Sequence, residues 1–464
     1  MTIWTPELTG RDGPKYRAIS EAIRDAIAEG SLAAGAKLPP QRELAYALGL
    51  SLGTVSRAYK DAERQEMVSG EVGRGTYVRP DGSGPIAETL WSPARDSHGP
   101  ISLVMNLPPA GIAAPALAET FRDLGRMGDL GSLLDHQTGG RIEVHQRSAA
   151  SWLGRLGLEA RGEEIVLTNG AQHGVLMALM AATRPGDTLL AEKLSYPPLK
   201  QMAHHLDLRL EGLEMDADGI LPAALEAACR KKTAKVLYCM PTLQSPTGAT
   251  MPVQRRRDIA DIARNHGLTI IEDDVFGFLP EDRPAPLAAY FPEGTLFVTS
   301  VSKSLAPGLR IGIVRAPEAH RETLRNVVQM SCWMPSPITA EIAHRWIEDG
   351  TADRLNEWLR REMRARCLLA QGILGSAADD RKGLRFHLWI ELTDMWTEEA
   401  FRAAAEERDV KVAPGEIFML KPGPAPQSLR LALGYETSRE RLGKGLAVVA
   451  DLLANAGARQ AVIV

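Results

Sequence analysis

The spacing of apolar residues changes character about a quarter of the way along the chain. In the first eighty residues it follows a helical period in three short runs. "KYRAISEAIRDAIAEG" puts Tyr16, Ile19, Ile23, Ala26 and Ile27 on one helical face, with Gly30 as the stop. "LPPQRELAYALG" predicts a shorter helix with Pro40 at its first turn, Leu44, Ala45 and Leu48 inward, and Gly49 at its end. "LSLGTVSRAYKDAERQEM" predicts a third, with Ser51 as N-cap and Val55, Ala58, Tyr59 and Ala62 buried. Helix, glycine turn, helix is the arrangement whose second helix enters a DNA major groove. "VSGEVGRGTYVRP" then reads as two short strands around a Gly73-Arg74-Gly75 tip, which suits a minor groove.

Beyond residue 100, short apolar runs of strand length alternate with amphipathic helices, the pattern of an α/β domain with a mostly parallel sheet. "EEIVLT", "AKVLYCM", "LTIIE" and "TLFVTS" are the strands; "AQHGVLMALMAATR" and "VQRRRDIADIARNHG" are helices that follow two of them. Between the halves, "RPDGSGPIAETLWSPARDSHGP" is rich in Pro, Gly, Ser and charge and reads as a tether. The expected division is 1–80 for DNA binding, 81–100 for the linker and 101–464 for the second domain.

Polar residues follow each predicted strand. Gly170-Ala171-Gln172 come after the first, "PTLQSPTG" after the second, Asp273-Asp274 after the third, and Ser300, Ser302 and Lys303 after the fourth, with Arg310 seven residues on. Ligands of open parallel sheets bind outside the carboxyl ends of the strands, so these groups converge. A lysine forms a Schiff base with an aldehyde; serine hydroxyls, an arginine and a helix N-terminus hold a phosphate. A carboxylate keeps a pyridine nitrogen protonated. Together they describe a site for pyridoxal 5′-phosphate.

Composition narrows the function further. The 464 residues carry a formal charge of −4, and the first eighty hold eleven Lys or Arg against ten Asp or Glu. No bulk positive field draws nucleic acid, and DNA binding must rest on placement. No apolar run reaches membrane-span length, and "MTIWTPELTGRDG" is too polar for a secretory signal. The four cysteines, Cys229, Cys239, Cys332 and Cys367, are scattered without metal-ligand spacing. They read as reduced thiols of a cytoplasmic protein with no metal site.

"KLPPQRELAYALGLSLGTVSRAYKDAE…GRGTYV" resembles the winged helix-turn-helix of the GntR family of bacterial transcription regulators. That resemblance implies DNA contacts by Arg42, Ser51, Thr54, Arg57 and Arg74. Residues 101 to 464 resemble the fold-type I, class I aminotransferases. There Lys303 is the Schiff-base lysine and Asp273 the pyridine-nitrogen partner. Ala171, Gln172, Ser300, Ser302 and Arg310 lie at the phosphate, Tyr196 stacks on the cofactor, and Arg430, in "SLRLALGY", grips a substrate carboxylate. Two positions depart from the family: Ser245 stands for the asparagine before the proline of "NPTG", and Phe276 for a tyrosine. In that family the asparagine and the tyrosine hydrogen-bond the cofactor's phenolic oxygen; Ser245 is shorter, and Phe276 has no hydroxyl. His136 stands where a tyrosine often reaches the neighbouring subunit's phosphate.

The fusion resembles the MocR subfamily of regulators. It implies a head-to-tail homodimer that reads two operator half-sites on double-stranded DNA and senses a small amino compound through the cofactor on Lys303. Members respond to different amino compounds or to the cofactor itself, and the residues here select none of them. The competing expectation is a working aminotransferase whose DNA-binding domain controls its own gene.

Overall fold

A computed structural model describes residues 4–6, 8, 14–28, 31–32, 36–64, 67–71, 75–78, 98–136, 140–231, 233–378, 383–421 and 423–455. The chain divides into two compact units, Met1–Trp91 and Ser92–Val464. The tether expected over 81–100 lies, from 81 to 97, outside the described residues.

The first unit holds helices α1 (Lys15–Ala28), α2 (Gln41–Leu48) and α3 (Leu52–Arg64), then strands β1 (Val68–Glu71) and β2 (Gly75–Val78), which pair antiparallel. Its core is the set the helical period picks out: Ile19, Ile23, Leu44, Val55, Ala58 and Tyr59, joined by Val68 and Val78 from the hairpin. α2 ends where Gly49 turns left-handed at φ 63°, a conformation that costs glycine little. α3 begins at Ser51, whose Oγ accepts from the Thr54 amide at 3.1 Å. The hairpin gains a third extended segment: the Leu38 amide donates to Thr76 and the Val78 amide to Ala36, each at 2.8 Å. The tip residue Arg74 lies outside the described residues.

The second unit is built on β3 (Ile101–Ser102), β4 (Ile165–Thr168), β5 (Thr188–Glu192), β6 (Arg209–Leu213), β7 (Met215–Asp216), β8 (Gly219–Ile220), β9 (Ala234–Cys239), β10 (Thr269–Asp273), β11 (Thr295–Ser300), β12 (Gly312–Arg315), β13 (His387–Glu391), β14 (Val410–Lys411), β15 (Ala413–Pro414) and β16 (Ser428–Ala432). Seven of these form one sheet in the order β4-β12-β11-β10-β9-β5-β6. Only β12 runs against its neighbours. The inner strands β5, β10, β11 and β12 are buried along nearly their whole length, which is why they carry apolar runs without alternation. A smaller antiparallel sheet, β13-β16-β15, carries the C-terminal part.

The first strand starts later than its sequence reads. Glu163 and Glu164 lie in a 3-10 turn (Gly162–Glu164), and β4 begins at Ile165. The cause is Glu164: its carboxylate accepts from the Arg161 amide at 2.8 Å and from Arg315 at 2.8 Å, which closes a turn in place of extended chain. Among the described residues no helix is long and apolar enough to cross a membrane.

Candidate functional site

Sheet register brings the polar residues together. Ser300 at the end of β11 pairs with Gly312, and Gly312 pairs with Thr168 at the end of β4. Asp273 at the end of β10 lies opposite Val298. The residues just past three parallel strands and just before the reversed one therefore share one sheet edge.

At one corner, Gly170 precedes the helix Ala171–Ala182 with φ 85°. A Cβ there would meet Nη2 of Arg310 at 2.6 Å, so only glycine admits this guanidinium. Arg310, itself left-handed at φ 52°, donates from Nη2 to the Asn169 carbonyl at 3.0 Å. Gly312 is likewise required, because a Cβ would run into Thr168 Oγ1 and the Gly170 backbone. The first turn of a helix of this length leaves N–H groups without intrahelical partners. Ser300 Oγ caps the short helix Val301–Ser304 by accepting from the Ser302 amide at 3.3 Å, and Ser302 Oγ is buried with no partner. The structure thus gathers Ala171, Ser300, Ser302 and Arg310 at a corner suited to an anion. Tyr196 stands beside it, its hydroxyl donating to Gln172 Oε1 at 3.2 Å.

The aspartate doublet splits into two roles. Asp274 is engaged in an ion pair with Arg283 at 2.7 Å. Asp273 accepts from the Tyr238 hydroxyl at 2.7 Å through Oδ2, while its buried Oδ1 has no hydrogen-bond partner among the described residues. Burial pushes the Asp273 carboxyl up to about 6, against the pull of the Tyr238 hydrogen bond and the positive charge of Lys303. An orphaned carboxylate oxygen in a buried pocket wants a cationic N–H donor. Lys303 is half-buried, and its Nζ donates to the Asn106 carbonyl.

Arg430 lies on β16 with 5 % of its surface exposed. Nη2 donates to the Val104 carbonyl at 2.6 Å and Nη1 to Ser245 Oγ at 3.2 Å, while Nε has no partner. The guanidinium sits 4.7 Å from the Phe418 ring centre, and burial lowers it to about 10. Arg430 and Ser245 are therefore neighbours, and the serine oxygen faces the guanidinium. Phe276 is buried, its ring 5.4 Å from Phe386 and 5.8 Å from His387, so this position supplies packing and no hydroxyl. A pyridine phosphate with an aldehyde fits these groups: unpaired Asp273 Oδ1 for the ring nitrogen, unpaired Ser302 Oγ and Arg310 for the phosphate, Lys303 for the aldehyde.

Sequence reasoning missed Tyr238, Asn106 and His387. Tyr238 sits inside an apolar strand, where its hydroxyl looks like packing until β9 is known to adjoin β10. Asn106 and His387 lie 281 residues apart, and no local spacing links them. His136 lies exposed with its ring edge-on to Trp333 at 5.4 Å.

In the first unit, Arg42 and Arg57 are exposed on α2 and α3. Arg57 stacks its guanidinium over the Tyr16 ring at 4.2 Å, which fixes the start of its reach. Thr54 is half-buried, its Oγ1 2.8 Å from Ser51 Oγ. Four of the five expected DNA residues thus stand on α2, α3 and the turn between them; Arg74 is the fifth.

Two families match the chain: bacterial regulatory proteins of the gntR family over residues 15–78, and aminotransferase class I and II over residues 110–447. The chain is 28% identical over 450 residues to the HTH-type transcriptional regulator YdeF of Bacillus subtilis (strain 168), covering 97% of this chain and 96% of that one. It is 28% identical over 400 residues to the vitamin B6 salvage pathway transcriptional repressor PtsJ of Salmonella typhimurium, covering 85% and 89%. Among solved structures, LysN, the α-aminoadipate aminotransferase of Thermus thermophilus complexed with N-(5′-phosphopyridoxyl)-L-leucine, matches with TM-score 0.71 and 24% identity over 82% of this chain and 96% of that one.

Proposed function

The chain belongs to the aminotransferase class I and II family and carries a gntR-type DNA-binding domain ahead of it, and from that premise we propose that it is a pyridoxal 5′-phosphate-dependent transcription regulator of the MocR kind, which senses an amino compound at Lys303. The observation that carries this reading is the buried Asp273 Oδ1 without a partner on the same sheet edge as Lys303. Asp273 pairs with the ring nitrogen and Tyr238 holds the aspartate in place. Arg310, Ser300, Ser302 and the backbone at Ala171 and Gln172 hold the phosphate, and Tyr196 stacks on the ring. Pyridoxal phosphate supplies an aldehyde carbon that exchanges amines. Lys303 would hold the cofactor where an effector amine can reach it, and Arg430 would take the effector's acidic group.

Phe276 bears on whether the site turns over. A tyrosine there would add a hydroxyl donor that helps tune the chemistry, whereas the Phe276 ring only packs against Phe386 and His387. A sensor needs amine exchange and a change of shape but no product, and the effector acts through its differential affinity for two states. Arg42, Ser51, Thr54, Arg57 and Arg74 read the operator. The working form is a cytoplasmic head-to-tail homodimer on two half-sites. The full-length relatives named as transcriptional regulators support this reading over that of a free-standing aminotransferase.

The test pairs two measurements on the purified full chain. Borohydride reduction with pyridoxal phosphate, followed by peptide mapping, should place the label on Lys303, and Lys303→Ala should lose it. Amine donors should change the absorbance of the bound cofactor without steady release of keto acid. Turnover on the order of 1 per second or more with an amine donor and keto acceptor would make the protein an aminotransferase instead.

A further inference from the structure

Beside Lys303 lies a hydrogen-bond relay whose direction the geometry fixes. His387 is fully buried, with Nε2 3.0 Å from the Gln244 carbonyl and Nδ1 2.8 Å from Asn106 Nδ2. A carbonyl only accepts, so the ring proton is on Nε2. Nδ1 then carries the lone pair, and the group facing it must be the amide NH2 of Asn106 and not its oxygen. Burial and the nearby Arg430 charge lower the His387 imidazole to about 3, so it stays neutral and keeps this polarity.

Asn106 is therefore held in one orientation, and its Oδ1, shielded from solvent, has no hydrogen-bond partner among the described residues. The main chain around it touches both ends of the site. The Asn106 carbonyl accepts from Lys303 Nζ, and two residues earlier the Val104 carbonyl accepts from Arg430. A ligand that reaches from Arg430 toward Lys303 therefore runs along the 104–106 segment that carries Asn106. A buried neutral acceptor left unpaired costs about 1–3 kcal/mol, which a ligand N–H donor recovers.

We propose that the Asn106 side-chain carbonyl is the acceptor that binds the ammonium group of the effector, with His387 as the positioning residue that aims it. The proposal rests on the amino-compound reading above and adds its recognition element. It makes the effector class an amine whose acid end meets Arg430 and whose ammonium meets Asn106 before Lys303.

Calorimetric titration of the cofactor-loaded full chain tests this with three amino acids, L-alanine, β-alanine and 4-aminobutanoate, each set against its acid without the amine, propanoate or butanoate. Asn106→Leu should weaken the amino acid that binds wild type about tenfold or more. The matched acid and pyridoxal phosphate should bind within twofold of wild type. Asn106→Asp keeps an acceptor and should retain the preference for the amine. His387→Phe, which releases the amide, should weaken the amino acid several-fold and leave the acid unchanged. Equal losses for amino acid and acid, or no loss for either, would overturn the assignment. Failure of the amino-compound reading itself looks different: no amine then changes the absorbance of the bound cofactor in wild type, which is visible before any variant is made.

Discussion

Tyr238→Phe removes one oxygen atom from the protein and isolates the role of Asp273. Tyr238 is fully buried in β9, so the phenylalanine ring keeps the packing and only the hydroxyl at 2.7 Å from Asp273 Oδ2 is lost. A hydrogen bond to a charged group contributes about 1.5–3 kcal/mol, or roughly 10- to 150-fold in an equilibrium. The hydroxyl favours the ionised carboxylate; without it, Asp273 holds its proton more tightly by about that factor. The wild-type carboxyl already stands at about 6, raised by burial. The variant should therefore carry Asp273 largely protonated at neutral pH, and an uncharged acid pairs poorly with a cationic ring nitrogen. The sign follows directly. Wild type should bind pyridoxal phosphate well above pH 6 and lose affinity as pH falls through that value. The variant should show the same loss displaced to higher pH by about one to two units, and about 2- to 15-fold weaker binding at pH 7. Fluorescence titration across pH 5.5–9 measures both. If Tyr238→Phe binds the cofactor like wild type at pH 7 with an unmoved pH profile, while Asp273→Asn loses it, the hydroxyl does not control the carboxylate and the reasoning fails.

Two further outcomes follow from the same geometry. Gly170→Ala should weaken pyridoxal phosphate binding at least tenfold, because φ 85° strains an L residue and the new Cβ would displace the Arg310 guanidinium; a melting curve should show a loss of about 1–3 kcal/mol, and unchanged binding would separate Arg310 from the phosphate. Arg57→Ala should cost about 1–3 kcal/mol of operator affinity in a mobility shift, and Tyr16→Leu, which removes only the ring beneath the guanidinium, should cost less; equal affinity for all three proteins would remove Arg57 from the DNA contacts.

Much of the fold was legible because the sequence signals are local. The helical period of residues 15–64 predicted the buried Ile19, Ile23, Val55 and Tyr59, and the Gly49 turn sits where the period breaks. The four apolar runs of the second unit are β4, β9, β10 and β11 apart from their edges. The failure at Glu163-Glu164 is physical: a side chain that can cap its own turn outcompetes strand pairing, and nothing in the run shows that Arg315 will arrive as its partner. The reversed strand β12 was not legible either, since "GIVR" reads the same in both directions. The site divided along the same line. Lys303, Asp273 and Arg310 each follow or precede a strand of the central sheet, so strand-end logic gathers them. Arg430 lies on a separate sheet, and its approach to Ser245 depends on contacts between residues 185 apart.

Phe276 shows why the missing residues matter more than the found ones. From sequence, that position is only an absent hydroxyl. In the structure its ring is one wall of the pocket that buries His387, and His387 in turn orients Asn106 beside Lys303. A tyrosine at this position would add a hydroxyl donor; the phenylalanine ring adds none and packs on the neutral imidazole that orients Asn106, in the segment 104–106 that Arg430 and Lys303 both touch.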